Sequence, residues 1–126
     1  MIVDELTGDA ITRQGDGGDK YTITDIALED GDQAYLGVTD DKGNKVGEEL
    51  LGIADVDSVT FIFTTTFTDR LVVKKGEESA TYYFGVKICN PNTGKEDTLI
   101  IGNKDEYGVN TLTVLPKIVE GTTTNG

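Results

Sequence analysis

Residues 80–103 read ATYYFGVKICNPNTGKEDTLIIGN. Two apolar runs flank a turn at Pro91-Asn92-Thr93-Gly94, and the first run carries Cys89, the only cysteine in the chain. In that run Tyr82, Phe84, Val86 and Ile88 fall on one face; Tyr83, Gly85, Lys87 and Cys89 fall on the other. Successive side chains leave a strand on opposite faces, so a period of two marks a half-buried strand. The turn residues predict a hairpin that returns along Thr98–Ile101.

The same period recurs outward from this hairpin. Val59, Phe61 and Phe63 share a face in SVTFIFT (58–64), and Leu112 and Val114 alternate with threonines near the C-terminus. Shorter runs rich in β-branched and aromatic residues predict strands at Ile11–Gln14, Lys20–Leu28, Ala34–Thr39 and Phe67–Val73. Glycine, asparagine and aspartate punctuate them in GDGGD (15–19), EDGD (29–32), DDKGN (40–44), KKGEE (74–78) and NKDEYG (103–108). Helical support is confined to one turn within 47–55, between Gly47 and Gly52. The prediction is all-β: a single antiparallel β-sandwich of seven to nine strands with at most one short helical turn. The domain spans 1–120, with 1–9 as an arm or edge strand and 121–126 as a flexible tail. The expected core is Val59, Phe61, Phe63, Leu71, Val73, Tyr82, Phe84, Val86, Ile88, Leu99, Ile101, Leu112 and Val114.

Charge narrows the range of partners. The 126-residue chain has a formal net charge of −12. Residues 1–60 hold 15 acids and 4 bases, while 61–126 hold 8 acids and 7 bases. Phosphate backbones and anionic lipid repel such a chain, so neither nucleic acid nor membrane is an expected partner. No stretch approaches the roughly 20 apolar residues of a membrane-spanning helix. The acidic start MIVDELTGDA does not read as a secretory leader, which predicts a protein made in the cytoplasm.

Catalytic chemistry finds little purchase. The chain contains no histidine, which removes histidine-based triads and histidine-ligated zinc. Cys89 would need a base or cation to become a nucleophile, and Lys87, two residues away on the same face, is the one neighbour available. Cys89 is therefore read as a small packing residue. Candidate calcium ligands are Asp16 and Asp19, Asp30 and Asp32, and Asp40 and Asp41 with Asn44, all within turns. None of these loops has the twelve-residue spacing with a terminal glutamate, and ordinary turns account for all three. No enzyme activity, cofactor or metal is expected. Tyr83, on the face opposite the aromatic core stripe, is the candidate interface residue.

Four segments in order carry a family resemblance: ITRQGD (11–16), LEDGDQAYLGVTDDKGN (28–44), the 80–103 hairpin and LTVLPKIVEG (112–121). Together they resemble the small immunoglobulin-like β-sandwich domain of phage and prophage virion proteins, as in the N-terminal domain of Siphophage baseplate upper proteins. The resemblance implies an immunoglobulin-like sandwich in a tail, baseplate, neck or capsid-associated protein. It also implies contacts with other virion proteins, homo-oligomerisation in the particle, and no catalytic residues. Residues 47–57 have no counterpart in that pattern. The alternative from another class is a carbohydrate- or surface-binding adhesin module.

Overall fold

A computed structural model describes residues 1–102 and 109–119. It contains ten strands and one helix in the order β1 (Ile2–Val3), β2 (Ala10–Arg13), β3 (Asp19–Ile23), β4 (Gln33–Thr39), β5 (Leu50–Leu51), β6 (Ile53–Ala54), β7 (Val59–Phe63), α1 (Thr65–Asp69), β8 (Ala80–Asn90), β9 (Lys95–Leu99) and β10 (Asn110–Leu115). The strands form two sheets. The larger has the order β1-β2-β10-β8-β4-β5, with β9 also paired to β8; the smaller is β3-β7-β6. The protein is thus a nearly all-β sandwich, with slightly more strands than the period of two suggests.

The opening hairpin is present. β8 and β9 pair antiparallel from Val86↔Leu99 to Asn90↔Lys95. Inward residues Tyr82, Phe84, Val86 and Ile88 are buried, and they meet Val59, Phe61, Phe63 and Tyr21 from the smaller sheet in one core. Tyr21 and Phe84 make an edge-to-face contact with ring centroids 5.3 Å apart, the geometry that aromatic quadrupoles favour.

Several expectations need correction. β2 and β10 pair parallel, Leu112↔Ala10 through Leu115↔Arg13, so the sandwich is not wholly antiparallel. Alternation sets which face a side chain takes and carries no information about strand direction. The strand expected at Phe67–Val73 is instead α1 followed by a bend. Thr64 caps the helix, its Oγ1 accepting from the Phe67 amide at 3.2 Å. Phe67 and Leu71, both buried, are four residues apart, which is helical spacing. β3 ends at Ile23 rather than Leu28; Asp25 beyond it adopts φ 60°, which a continuing strand does not allow. The return strand of the hairpin starts earlier, at Lys95. Val73 and Leu99 are only half-buried, whereas Ala10, Ala34, Leu36, Val38, Tyr21 and Phe67 join the core. The arm at 1–9 supplies an edge strand, β1, paired antiparallel to β2. The tail at 121–126 lies outside the described residues.

Residues 50–55, where one helical turn was expected, form a side wall instead. The Gly52 amide donates to Ala34 in β4, and the Asp55 amide donates to Ser58 at the start of β7, each at 2.8 Å. One ribbon therefore bonds to the larger sheet along one edge and to the smaller sheet along the other. Leu50 packs inward, while Leu51 and Ile53 stay exposed. The crossing requires glycine: a Cβ at residue 52 would stand 2.4 Å from Val59 Cγ1 and 2.9 Å from Phe61 Cε1. Both neighbours are fully buried and cannot swing away. Gly52→Ala is expected to cost about 1–3 kcal/mol by overpacking. Gly37→Ala, whose Cβ would come no nearer than 3.4 Å to Glu49, should cost far less. Urea unfolding of the two variants checks this, and equal midpoints would remove the side-wall argument.

Candidate functional site

The topology gives the sandwich two electrically different ends. One end collects the β1–β2 turn with Asp4, Glu5 and Asp9, and the β3–β4 loop with Asp25, Glu29, Asp30 and Asp32. The β6–β7 turn adds Asp55 and Asp57, and the β8–β9 hairpin contributes Lys95, the one base at this end among the described residues. The other end also carries acids, but there they are interleaved with Lys42, Lys45, Arg70, Lys74, Lys75 and Lys117. The outward positions of the smaller sheet are Lys20, Thr22, Ile53, Thr60 and Ile62, with no acid among them. The acidity that looked like a property of the first half of the chain is a property of one end of the fold.

A polar junction holds the acidic end together. Asp32 Oδ2 accepts from the Glu29 amide at 2.8 Å and from Lys95 Nζ at 2.9 Å, and Oδ1 accepts from Asn90 Nδ2 at 3.0 Å. Asn90 is almost wholly buried and also donates to the Asp30 carbonyl, while its Oδ1 accepts from the Asn92 amide. Gly31 (φ 91°) packs against this site, where an added Cβ would stand 2.8 Å from Asn92 Nδ2. The β3–β4 loop is thereby stitched to the β8–β9 turn. The Glu29 amide, followed by Lys95, lowers the Asp32 pKa from 3.8 to about 2. The Lys95 ammonium is correspondingly pushed up, chiefly by its bond to Asp32.

The calcium candidates do not converge. Asp32 has only 2 % of its side-chain surface exposed and both oxygens engaged. Asp19 binds the N-terminal amine at 2.9 Å. Asp40 closes its own turn by accepting from the Lys42 and Asn44 amides, and the Asn44 amide in particular lowers its pKa. Asp16, Asp30 and Asp41 are exposed in separate turns. Among the described residues no group of three histidine, cysteine or acidic side chains is placed to hold a metal ion.

Cys89 is half-buried on the outer face of the larger sheet, opposite Gln33 and Glu96. Lys87 shares that face, but its ammonium is bonded to Glu96 at 2.9 Å, and this bond raises its pKa. Tyr83 is half-buried on the same face between Thr39 and Thr111. Beside it Gly37 lies opposite Gly85, leaving a shallow groove of about 300 Å³ walled by Tyr35, Lys45, Glu49, Lys87 and Thr98. Sequence reasoning missed this groove, because the pairing of two isolated glycines is a matter of register. No family model matches the chain, and no curated protein matches it with significance.

Asp32 contributes to the acid limb of stability. A carboxylate whose folded pKa is depressed stabilises the fold above its ordinary pKa, and that contribution fades as pH falls through the folded value. For Asp32 the window runs from its ordinary 3.8 down to about 2. Asp32→Asn should therefore flatten the decline of stability across this window. Urea titrations at successive pH values read this out, and parallel slopes for the two proteins would contradict it. Excess Ca²⁺ is expected to leave Tm unchanged; a clear rise that EDTA reverses would show a calcium site.

Proposed function

We propose that this protein is a non-enzymatic assembly module of a phage or prophage particle, acting through contacts with other virion proteins. The observation that carries the assembly role is the charge polarity. Among the described residues, one end gathers acids from three turns against one lysine, while the strand faces stay nearly free of acid. A field concentrated at one end orients a molecule towards a basic neighbour and suppresses wrong docking poses. The particle setting rests on the resemblance of 11–121 to virion sandwich domains, which brings with it a homo-oligomer in the tail, baseplate, neck or capsid-associated region.

Mass spectrometry of particles purified from the producing culture tests this. The expected result is that the chain co-sediments with particles at a fixed copy number and that high salt strips it off, since surface charge attraction is screened. A chain found only in the soluble fraction would overturn the reading. The groove beside Tyr35 favours a second reading, a carbohydrate-binding adhesin module. A Tyr35→Ala-sensitive signal on a glycan array, with the chain absent from particles, would select it.

A further inference from the structure

The two sheets are joined along one side by residues 50–55 and left open along the other. On the open side, among the described residues, β3 pairs only with β7, and β1 pairs only with β2. Backbone groups in a ladder face alternate sides residue by residue. The Asp55–Ser58 bond turns Ser58, Thr60 and Ile62 of β7 towards β6, so Phe61 and Phe63 face β3. The Phe63 carbonyl accordingly accepts from the Gly18 amide. Asp19, Tyr21 and Ile23 therefore bond to β7, and the N–H and C=O groups of Lys20 and Thr22 point away from it. In β1 the Asp4 amide bonds to the Asp9 carbonyl, which turns the groups of Val3 away from β2. Among the described residues no backbone bond joins β1 to β3.

These two bare edges lie side by side. The Met1 amine binds Asp19 at 2.9 Å and closes one end of the seam. The other end widens into a cavity of about 450 Å³ lined by Val3, Asp4, Glu5, Tyr21 and Ile23. Its wall is held in place: the Tyr21 hydroxyl donates to the Gly8 carbonyl, and Asn110 Nδ2 donates to the Thr7 carbonyl.

We propose that this seam takes an extended, lysine- or arginine-bearing segment of a partner protein as an added strand against β3. Unpaired edge groups are a template for strand addition. The occupant is a single extended segment rather than a second copy, because β1 flanks the edge and bars the approach of another whole sheet. It is cationic because Asp4 and Glu5 are exposed at the mouth and Asp25 lies two residues beyond the end of β3. This deepens the assembly reading and rests on it.

Amide hydrogen exchange on the full chain tests the site, with a synthetic hexapeptide of alternating valine and lysine as the probe. In the free chain the Lys20 and Thr22 amides should exchange quickly while those of Tyr21 and Ile23 are protected. Saturating peptide should slow Lys20 and Thr22 by roughly tenfold or more. The same peptide N-methylated at every residue should not, and Asp4→Asn with Glu5→Gln should weaken binding. Slow exchange of Lys20 and Thr22 in the free chain, binding that leaves them unaffected, or no binding would each overturn the proposal. Protected amides in a chain absent from particles would overturn the assembly reading alone; a particle-bound chain without protection would overturn the strand site alone.

Discussion

The fold depends on satisfying both edges of β8. This strand runs for eleven residues through the middle of the larger sheet. Buried N–H and C=O groups without partners cost about 1–3 kcal/mol each, so a strand this long needs neighbours along its whole length. β4 covers one edge from Tyr83 to Cys89. No single strand covers the other. β10 takes Ala80–Phe84 and β9 takes Val86–Asn90. The division decides the connectivity, because the chain must leave β9 half-way along β8 and re-enter as β10 on the same side. The inward residues of β8 then face the smaller sheet, and the core assembles on them.

Gly52 decides how the second layer closes on the first. Because residues 50–55 bond to both sheets, the sandwich has no free edge on that side; the partial closure resembles that of a barrel. Among the described residues the opposite side has no such ribbon; its contacts include an ion pair at Met1, the packing of Val3 and the Tyr21–Gly8 hydrogen bond. The asymmetry follows from a single residue that permits the close crossing. The junction of Asp32, Asn90 and Lys95 adds the complementary restraint at the acidic end. It ties a loop of nine residues (24–32) to the hairpin turn, which keeps the acids of that loop in a fixed arrangement.

The hairpin at 80–103, the Val59–Phe63 strand and the C-terminal strand were legible because large apolar residues recur at every second position in each. Tyr21, Leu36 and Val38 were harder to place in the core, since β3 is only five residues long and in β4 the outward Tyr35, itself aromatic, blurs the alternation. Phe67 and Leu71 suit a strand and a helix equally until the Thr64 cap is considered, and a helix of five residues leaves a faint periodic signal. The parallel pairing of β2 with β10 was out of reach, because facing and direction are independent properties of a strand. The site was less legible than the fold. Cys89 and the aspartates attract attention by their chemistry, yet their neighbours are set by register and turn geometry. The feature that matters, acids from three distant turns at one end, exists only after folding.

The placement of charge and the placement of open edges belong to one design. In a chain at −12 the acids beside the seam oppose its approach to the same seam of another copy, which guards a bare edge strand against pairing edge to edge with itself. The open seam widens at the same end that carries the acids, so the field that repels like chains draws a cationic segment to the place where backbone groups await partners. Steering acts on the rate of encounter, and strand pairing acts on how long the encounter lasts. Neither needs a reactive group. Threonine-rich outer faces serve the same division, since Thr22 and Thr60 satisfy one another across the sheet at 3.1 Å. The outer face of the smaller sheet thereby satisfies part of its own polar surface, which suits the proposal that binding is concentrated at one end and one edge.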